Sequence, residues 1–434
     1  MNATALRIGY VLAHPPGLTE TFIPAEIRAV RAAGATVEVF VAAPDGNRGA
    51  APGRATAGLL RRPADLAGLP ADLRLLGLPS RATGWPSLAR ALLASAAAGA
   101  LAGRVARFDP DVLHAHFVNL PTSVALLLGR RLGRPVTATA HAADFLLDAD
   151  PTALRHRLRR LRHLFVVSAA TADQLAARGV PMSQVPHRIV RAALDARLLV
   201  AGPPEGRLLD APPPDARPLA TALPGGRPPA APHAPTRIVT VARLIPKKGV
   251  ATAVDAVARL VADGHRIRYD VYGDGPLRAA LRRQVASAGL TDVVTLHGAV
   301  PHPVATAALA GADVAVLPCR PAPDGDLDGI PVFLMEAASQ GVPVVTTAVS
   351  GIAELVDADS GWLVPPGDPV ALAAALRAVA VDPATARRRA RSLLARLRAE
   401  FAPAVQADRL LSVWRDLAAT APARPAAPGG GGAR

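Results

Sequence analysis

The sequence predicts an α/β protein built from two doubly wound, Rossmann-like domains that face each other across a cleft. Strand-length apolar segments alternate with longer helical patterns, and this alternation occurs twice along the 434 residues. A proline-rich stretch separates the two sets. Short β-rich runs that alternate with helices are typical of parallel sheets covered by helices on both faces. A chain of this length is comfortable for two domains.

The first set of strands lies before residue 200. Its segments are RIGYVLA, TVEVFVA, DVLHAHF, PVTATAH and HLFVVS. An irregular stretch at 43–82, after the second segment, predicts a long insertion. We therefore predict an N-terminal domain over residues 1–200.

The second set begins after residues 201–236, which are dense in proline and are predicted to be a linker because proline cannot continue a helix or an inner strand. Its segments are RIVTVAR, RYDVYG, VVTLHG, VAVLP and PVVTTAV. These predict a C-terminal domain over 237–400. Residues 401–420 are predicted to form a helix that returns to the N-terminal domain, and 421–434 a disordered tail.

Composition limits the class of protein. Half of the residues are apolar and 19% are charged, so the chain is predicted to fold into filled cores. The single cysteine, Cys319, allows no internal disulfide, which fits a reducing cytosol. The mild apolar run at 91–103 is too short to span a bilayer, and the N-terminus lacks the order of a signal peptide. We expect a cytoplasmic protein, peripheral at most to the inner face of the membrane.

The chain is strongly basic, with a formal net charge of +15. Part of the excess lies in RHRLRRLRH at 155–163, which is either a solvated helix face or a contact for anionic lipid headgroups. Aromatic residues are only 3% of the chain and no nucleic-acid-binding signature occurs. The sequence therefore favours an anionic membrane surface over nucleic acid as a charged partner.

The lysines are confined to one loop. Lys247 and Lys248 are the only two, and every other residue of the 49 basic ones is arginine. A lysine ammonium group is a compact point charge that can contact a phosphate, whereas the charge of an arginine guanidinium is spread over a planar group. Arg243 directly follows the strand RIVTVA, so these cations can converge beyond the carboxyl end of a strand, where such sheets bind ligands. Either the loop holds a diphosphate, or it is an ordinary connection whose charges face water.

An acidic stretch, DGDLDGIPVFLMEA at 324–337, follows the strand VAVLP. Pro331 is placed at the first turn of a helix that carries Glu336. Carboxylates here suit sugar hydroxyls better than a phosphate. The pattern D-x-D-x-D-G matches the start of a calcium loop, but the ligand expected after five further residues falls on Met335. Mg²⁺ on a nucleotide diphosphate is the other metal interpretation.

Histidines follow or lie within two strands of the first set. His141 comes at the carboxyl end of PVTATA, facing the cleft, and is the functional candidate. His114 and His116 share one face of an earlier strand, and His-x-His can indicate a metal site. No third ligand is evident at a fixed spacing, so we interpret this pair as packed or hydrogen-bonded.

Five blocks in the second half resemble the C-terminal half of a family 4 retaining glycosyltransferase of the GT-B fold. They are ARLIPKKG, VYGDGPLR, LHGAV, DGIPVFLMEAASQGVPVVTTAVSGIAELV and GWLVPPGDPVALAAAL. The first half resembles the family through LTETFIPAEI, DVLHAHF, TAHAADF and FVVSAATADQL. TETFI and DGIPVFLMEA are similar to exopolysaccharide glycosyltransferases of the colanic-acid type.

The resemblance implies roles for the basic loop. Arg243 and Lys248 would hold the diphosphate of a nucleotide-sugar donor, and Lys247 would be a bystander.

The resemblance also implies contacts to the rest of the donor. Glu336 would bind the ribose, and Asp328 would contact the sugar beside the backbone amides of Gly329 and Ile330. His141 would contact the sugar and help to hold its reacting face.

The activity implied is transfer of a sugar, with retention, from a nucleotide-diphosphate sugar to a saccharide or lipid-linked acceptor in exopolysaccharide or glycolipid synthesis. The resemblance implies no cofactor and no metal. Three positions depart from the family: Asp328 replaces the usual glutamate, the first loop HPPGLTET has only Gly17, and Ala193 replaces a glycine. A sugar-nucleotide-binding or scaffold protein without chemistry is the alternative.

Overall fold

The computed structural model describes residues 5–17, 20–43, 69–77, 85–146, 150–201 and 234–420. Most of the insertion predicted at 43–82 lies outside these residues. So do nearly all of the linker predicted at 201–236 and the whole of the tail at 421–434.

The N-terminal half is built on a six-stranded sheet with the order β2-β1-β3-β4-β5-β6. All of its strand pairs are parallel. The strands are β1 (Arg7–Leu12), β2 (Thr36–Val41), β3 (Val112–His116), β4 (Val136–Ala140), β5 (His163–Val166) and β6 (His187–Ile189). The described helices are α1 (Phe22–Ala32), α2 (Leu69–Leu75), α3 (Trp85–Phe108), α4 (Leu120–Leu132), α5 (Ala143–Leu146), α6 (Pro151–Leu158), α7 (Ala169–Ala177) and α8 (Ala196–Ala201).

The C-terminal half contains a second six-stranded sheet, with the order β12-β11-β10-β7-β8-β9 and parallel pairing throughout. The strands are β7 (Thr236–Val241), β8 (Ile267–Tyr272), β9 (Val294–Gly298), β10 (Val314–Leu317), β11 (Val344–Thr347) and β12 (Trp362–Val364). The described helices are α9 (Val250–Ala262), α10 (Arg278–Ser287), α11 (His302–Ala310), α12 (Val332–Ser339), α13 (Ile352–Leu355), α14 (Pro369–Val381), α15 (Pro383–Glu400) and α16 (Pro403–Ala419).

The central strands are short and buried because helices cover both faces of each sheet. Every residue of β3, β4, β10 and β11 is buried. β10 is apolar throughout, as is typical of strands buried on both faces, whereas β3, β4 and β11 carry buried histidine or threonine side chains. The predicted pair of doubly wound α/β domains is confirmed, and two short edge strands, β6 and β12, are additions to the predicted segments.

The last helix, α16, packs on the N-terminal sheet although the chain reaches it from the C-terminal half. Its Leu410 and Trp414 are fully buried in a cluster with Ile8 and Tyr10 of β1. The indole Nε1–H of Trp414 donates to the Thr137 hydroxyl oxygen of β4, at 3.0 Å. A buried tryptophan usually has such a partner for its N–H. Because the chain reaches α16 from the C-terminal half, its packing on the N-terminal sheet connects the two halves.

One helix in the described part, Ser87–Phe108, is long and apolar enough by composition to cross a bilayer, with a mean hydropathy of 1.3 and 44% of that window buried. The segments Pro369–Val381 and Pro383–Ala419, bent by 103° at their junction, pass the same test only as a pair. The first of these helices packs Ala94, Ala97 and Ala98 into the N-terminal core.

A left-handed glycine starts α9 directly after the basic loop. Gly249 has φ +65°, and a Cβ atom there would lie 1.8 Å from the carbonyl oxygen of Pro318. Glycine alone adopts this backbone conformation without steric cost, and here it also lets two strand-end loops approach closely. The residue therefore sets how near the basic loop lies to the segment that follows β10.

We expect Gly249→Ala to destabilise the fold more than Gly289→Ala, because Gly289 has the same conformation, φ +67°, with nothing within 4 Å of its Cβ position. The backbone strain shared by both variants costs roughly 1–2 kcal/mol. The overlap with Pro318 adds about 1–3 kcal/mol or more at Gly249 only. Thermal unfolding midpoints of the two variants measure the difference, and equal shifts would contradict the close approach.

Candidate active site

The two halves meet at the carboxyl ends of their strands. Val167 follows β5, and its Cγ2 lies 3.7 Å from the Cβ position of Gly329 in the acidic loop. A Cβ at Gly351 would lie 2.8 Å from the Cβ of Ser168. The loops after the strands of the two sheets thus approach each other at the sheet edge where open α/β sheets bind their ligands.

The lysine loop and the acidic loop are joined by ion pairs. Their parent strands, β7 and β10, are neighbours in the sheet. The Lys248 Nζ lies 2.9 Å from Asp328 Oδ2, and the Lys247 Nζ lies 2.8 Å from Asp326 Oδ2 and 3.5 Å from Asp328 Oδ1. Lys247 also donates to the Leu327 carbonyl oxygen at 3.3 Å. The structure therefore brings Lys248 and Asp328 together.

Asp328 is largely buried among these cations. Burial would raise the pKa of its carboxyl, but the Lys248 and Lys247 ammonium groups and hydrogen bonds from Lys248 and Cys319 outweigh it and lower the pKa. The Cys319 thiol donates to Asp328 Oδ2 at 3.3 Å. Burial, followed by the charge of Asp328, raises the pKa of that thiol. Asp328 is thus an ionised carboxylate whose partners within the loop are fixed. Cys319 is a buried, protonated thiol that donates to it.

Lys247, which the resemblance leaves as a bystander to the donor, has a structural role. It is 5% exposed, whereas a surface lysine would face water. Its backbone oxygen accepts a hydrogen bond from the Arg320 amide at 2.9 Å, so both its side chain and its main chain hold the segment after β10. The doublet in the sequence gave no signal for this difference, because which of two adjacent residues in a turn points inward depends on the turn itself.

Arg243 lies at the carboxyl end of β7 and is exposed. Its loop is fixed by the main chain, since the amide of Leu244 donates to the Asp274 carbonyl oxygen at 2.9 Å. Within the described residues the guanidinium of Arg243 forms no ion pair with a carboxylate. It remains available to an anionic ligand.

Glu336 lies on α12, as the sequence predicted. Its Oε1 lies 2.9 Å from the His302 Nε2 at the start of α11. The hydrogen bond from the His302 Nε2–H to Glu336 is the main cause that raises the pKa of His302. A ligand that binds Glu336 must therefore share this carboxylate with His302 or displace it.

His141 is held in place by both its backbone and its ring. Its amide N–H donates to Asp144 Oδ1 at 3.0 Å, and its ring centroid lies 4.8 Å from that of Phe22 and 4.7 Å from that of Phe117. Burial lowers the pKa of His141 well below its ordinary value, which leaves the ring neutral. Burial raises the pKa of Asp144 to about 7, against the opposing backbone hydrogen bonds.

His114 and His116 have a carboxylate neighbour that the sequence did not reveal. Glu26, on α1, lies 3.0 Å from the His116 Nε2 and 3.9 Å from the His114 Nε2. One potential ligand atom from each of these three buried side chains lies within 4.8 Å of the others. No third potential ligand is evident at a fixed spacing in the sequence, because the residue that supplies it lies 90 positions away from His116.

This cluster is already hydrogen-bonded. Tyr10 donates its hydroxyl to Glu26 Oε1 at 2.8 Å, and the Thr139 hydroxyl lies 3.2 Å from the His114 Nε2. The His116 Nδ1 lies 3.2 Å from the His141 Nε2. The interpretation of a hydrogen-bonded pair fits these contacts, and the cluster extends to the cleft through His141.

Comparison with known proteins covers both halves of the chain. The family model "Glycosyl transferases group 1" matches residues 235–382. The family model "Glycosyltransferase Family 4" matches residues 19–187. The first match spans all six strands of the C-terminal sheet, and the second spans β2 to β5 of the N-terminal sheet.

Similar proteins include two biosynthetic glycosyltransferases. A protein of Escherichia coli (strain K12), named as a colanic acid biosynthesis glycosyltransferase, is 48% identical over 149 residues, which are 34% of this chain and 37% of that protein. An amylovoran biosynthesis glycosyltransferase of Erwinia amylovora is 46% identical over 145 residues, 33% of this chain and 36% of that protein. The similarity therefore spans little more than a third of these relatives.

Solved structures resemble the whole chain. A sucrose-phosphate synthase from Thermosynechococcus elongatus matches with a TM-score of 0.68 at 20% identity, over 96% of this chain and 100% of that one. The HepE protein of Anabaena, in complex with UDP, matches with a TM-score of 0.65 at 17% identity, over 95% of this chain and 100% of that one. These structures and the paired parallel sheets show the GT-B fold. The two family matches, together with the similar sequences, show that the chain belongs to the family 4 glycosyltransferases.

Proposed function

We propose that the protein is a retaining glycosyltransferase that moves a sugar from a nucleotide-diphosphate sugar to a saccharide or lipid-linked acceptor in exopolysaccharide or glycolipid synthesis. The observation that carries this proposal is the convergence of Lys248 and Asp328 at the carboxyl ends of adjacent strands bordering the cleft. The names of the colanic acid and amylovoran relatives support the class of product.

The diphosphate of the donor binds Arg243 and Lys248 in this proposal. Arg243 is exposed at the end of β7, and the ammonium of Lys248 is oriented by Asp328. A cation whose position is fixed before the ligand arrives needs no reorganisation when charge develops on the leaving group. These cations supply the neutralising charge, so the proposal includes no metal and no cofactor.

The sugar and ribose bind the neighbouring groups. Asp328 accepts hydrogen bonds from sugar hydroxyls beside the amides of Gly329 and Ile330, and Glu336 accepts from the ribose. His141 contacts the sugar from the opposite wall of the cleft. The HepE protein has been solved in complex with UDP-glucose, with a TM-score of 0.63 to this chain, which supports a nucleotide sugar as the ligand of this fold.

The reaction breaks the bond between the anomeric carbon and the diphosphate oxygen. The leaving diphosphate keeps the electron pair, and the positive side chains stabilise its charge. The acceptor hydroxyl attacks the same face of the sugar, forms the glycosidic bond and gives its proton to the departing phosphate oxygen. Retention follows from this front-face geometry. Closure of the two domains excludes water, which otherwise hydrolyses the donor.

A screen of nucleotide-diphosphate sugars tests the proposal. We expect at least one donor to raise the unfolding midpoint, because a ligand that binds only the folded state stabilises it. That donor, incubated with saccharide and lipid-linked acceptors, should give a product with the anomeric configuration of the donor, read by NMR. Inversion would refute the retaining assignment. Tight donor binding without transfer to any acceptor would favour the sugar-nucleotide-binding or scaffold alternative.

The two lysines are expected to differ when each is replaced by alanine. Lys248→Ala should lower turnover by about 10²–10³-fold, as removal of one charge-stabilising donor does. Lys247→Ala should instead destabilise the fold by about 3 kcal/mol, because it leaves two poorly exposed carboxylates without their shared cation.

Turnover and thermal unfolding of both variants separate these roles. Arg283→Ala, an exposed change on α10 of the same domain, is the control and should affect neither quantity. If Lys248→Ala turned over as fast as the unchanged protein, the assignment of Lys248 to the diphosphate would be wrong.

A second proposal concerns an anionic membrane surface near the acceptor. Arg159, Arg160 and Arg162 follow α6 and are exposed. Leu158, directly before them, and Leu161, among them, are buried in the N-terminal core. Their charge therefore faces outward on a fixed segment. Clustered basic residues attract anionic headgroups by about 1 kcal/mol each.

Sedimentation with vesicles that contain anionic lipid checks this proposal. Arg159→Glu with Arg162→Glu should weaken binding by roughly 30-fold or more, from about 1 kcal/mol for each lost charge. Arg387→Glu with Arg398→Glu, the same charge change on exposed positions of α15, is the matched control. If both double variants lost vesicle binding equally, binding would depend on the net charge of the protein and not on this segment.

A further inference from the structure

A continuous chain of hydrogen bonds runs from the N-terminal core to the cleft. The Tyr10 hydroxyl donates to Glu26 Oε1 at 2.8 Å, and the same oxygen lies 3.0 Å from the His116 Nε2. The other ring nitrogen of His116, Nδ1, lies 3.2 Å from the His141 Nε2. The chain joins β1, α1 and β3 to the loop after β4, and it ends at the residue proposed to contact the donor sugar.

Packing fixes every ring in this chain. Tyr10 and His116 are fully buried and stack with ring centroids 5.7 Å apart, and Glu26 is 3% exposed. The ring of His141 is held between Phe22 and Phe117. Since the rings are held, the protons on the nitrogens, rather than the ring positions, are what can vary.

A buried carboxylate requires a nearby positive charge, because an unpaired ion in a low dielectric is costly. His116 is the nearest basic group to Glu26. His114, 3.9 Å away, is engaged by neutral hydroxyls instead, with Thr137 Oγ1 at 3.0 Å from its Nδ1 and Thr139 Oγ1 at 3.2 Å from its Nε2. The counter-charge of Glu26 is therefore assigned to His116.

A protonated His116 has an N–H at both ring positions. Its Nε2–H donates to Glu26, and its Nδ1–H donates to the His141 Nε2, which must then be unprotonated. Because a neutral imidazole carries one N–H, the proton of His141 is placed on Nδ1. No hydrogen-bond partner occupies that nitrogen among the described residues, so it is left for a ligand.

The pKa directions agree with these charges. Burial would raise the pKa of Glu26, but the charge and hydrogen bond of His116 and the hydrogen bond from Tyr10 lower it. Burial, with the charge of His116, lowers the pKa of His141 well below its ordinary value. The first group is thus a carboxylate and the last a neutral ring.

We propose that Glu26 is a positioning residue that sets the tautomer of His141 through His116, so that His141 presents an Nδ1–H donor to the cleft. The use of that donor toward an oxygen of the sugar rests on the proposed function, whereas the tautomer itself does not. Without the carboxylate, a neutral His116 would accept from the His141 Nε2–H. His141 would then present a bare nitrogen and could no longer donate.

Nitrogen NMR of protein that carries ¹⁵N-labelled histidine reads the tautomer directly. The signals of His141 are assigned as those that disappear in the His141→Gln variant. We expect protonated Nδ1 and unprotonated Nε2 at His141. Glu26→Gln keeps the size and an acceptor oxygen but removes the charge. In this variant His141 should carry its proton on Nε2 and leave Nδ1 unprotonated. Tyr10→Phe removes one hydrogen bond from the same carboxylate and keeps its charge, so it should leave the tautomer of His141 unchanged.

Turnover gives the second measurement. Glu26→Gln should lower kcat by about 10- to 100-fold, the usual loss when a group that orients a functional histidine is changed. KM for the donor should change by less, because the diphosphate contacts lie in the other domain. If KM for the donor rose about 10- to 100-fold while kcat stayed unchanged, Glu26 would serve structure only.

The outcomes separate this inference from the proposed function. Transfer of sugar with the same His141 tautomer in the unchanged protein and in Glu26→Gln would overturn the inference and leave the function standing. If the tautomer were exchanged in Glu26→Gln but the unchanged protein transferred no sugar, the inference would stand and the proposed function would fall. Stoichiometric zinc in the purified protein that is lost in Glu26→Gln would also overturn it, since Glu26, His114 and His116 would then be ligands.

Discussion

The pairing of one largely buried carboxylate, Asp328, with two lysines is the interaction on which the C-terminal wall of the cleft depends. It links the loops after β7 and β10, which the parallel sheet brings side by side. Gly249 permits the approach, because a side chain at that position would overlap the main chain after β10. The cations are thereby oriented by the protein before any phosphate arrives, which lowers the reorganisation needed on binding.

The N-terminal wall of the cleft uses the same physical device. There a second buried carboxylate, Glu26, contacts His116, and His116 contacts His141. In both walls an acidic side chain with little exposure fixes the group that faces the ligand. The difference lies in what is fixed: the position of an ammonium group in one wall, and in our proposal the position of a proton in the other.

Polar contacts also join the two domains beside the cleft. Glu354 accepts from the Ala170 amide at 3.1 Å and pairs with Arg191 at 2.8 Å, and Gln174 donates to the Ser350 hydroxyl at 3.0 Å. Interfaces of this kind, which are polar and local, permit relative motion of domains more readily than large apolar ones. In the proposed function such contacts would let the domains close on a donor and then release a nucleotide. The apolar packing of α16 on the N-terminal sheet keeps the halves connected.

The sequence by itself determined the two α/β domains and the strands at whose ends Arg243, Lys248, Asp328 and His141 lie, because apolar periodicity and motif spacing are local properties of the chain. It did not predict the edge strands β6 and β12, whose three residues each are too short to show a period. Only the tertiary structure decided that Lys247 is buried, that Cys319 donates to Asp328, and that Glu26 meets His116 across 90 positions. These contacts depend on which elements pack together, and that information is not present in any short segment.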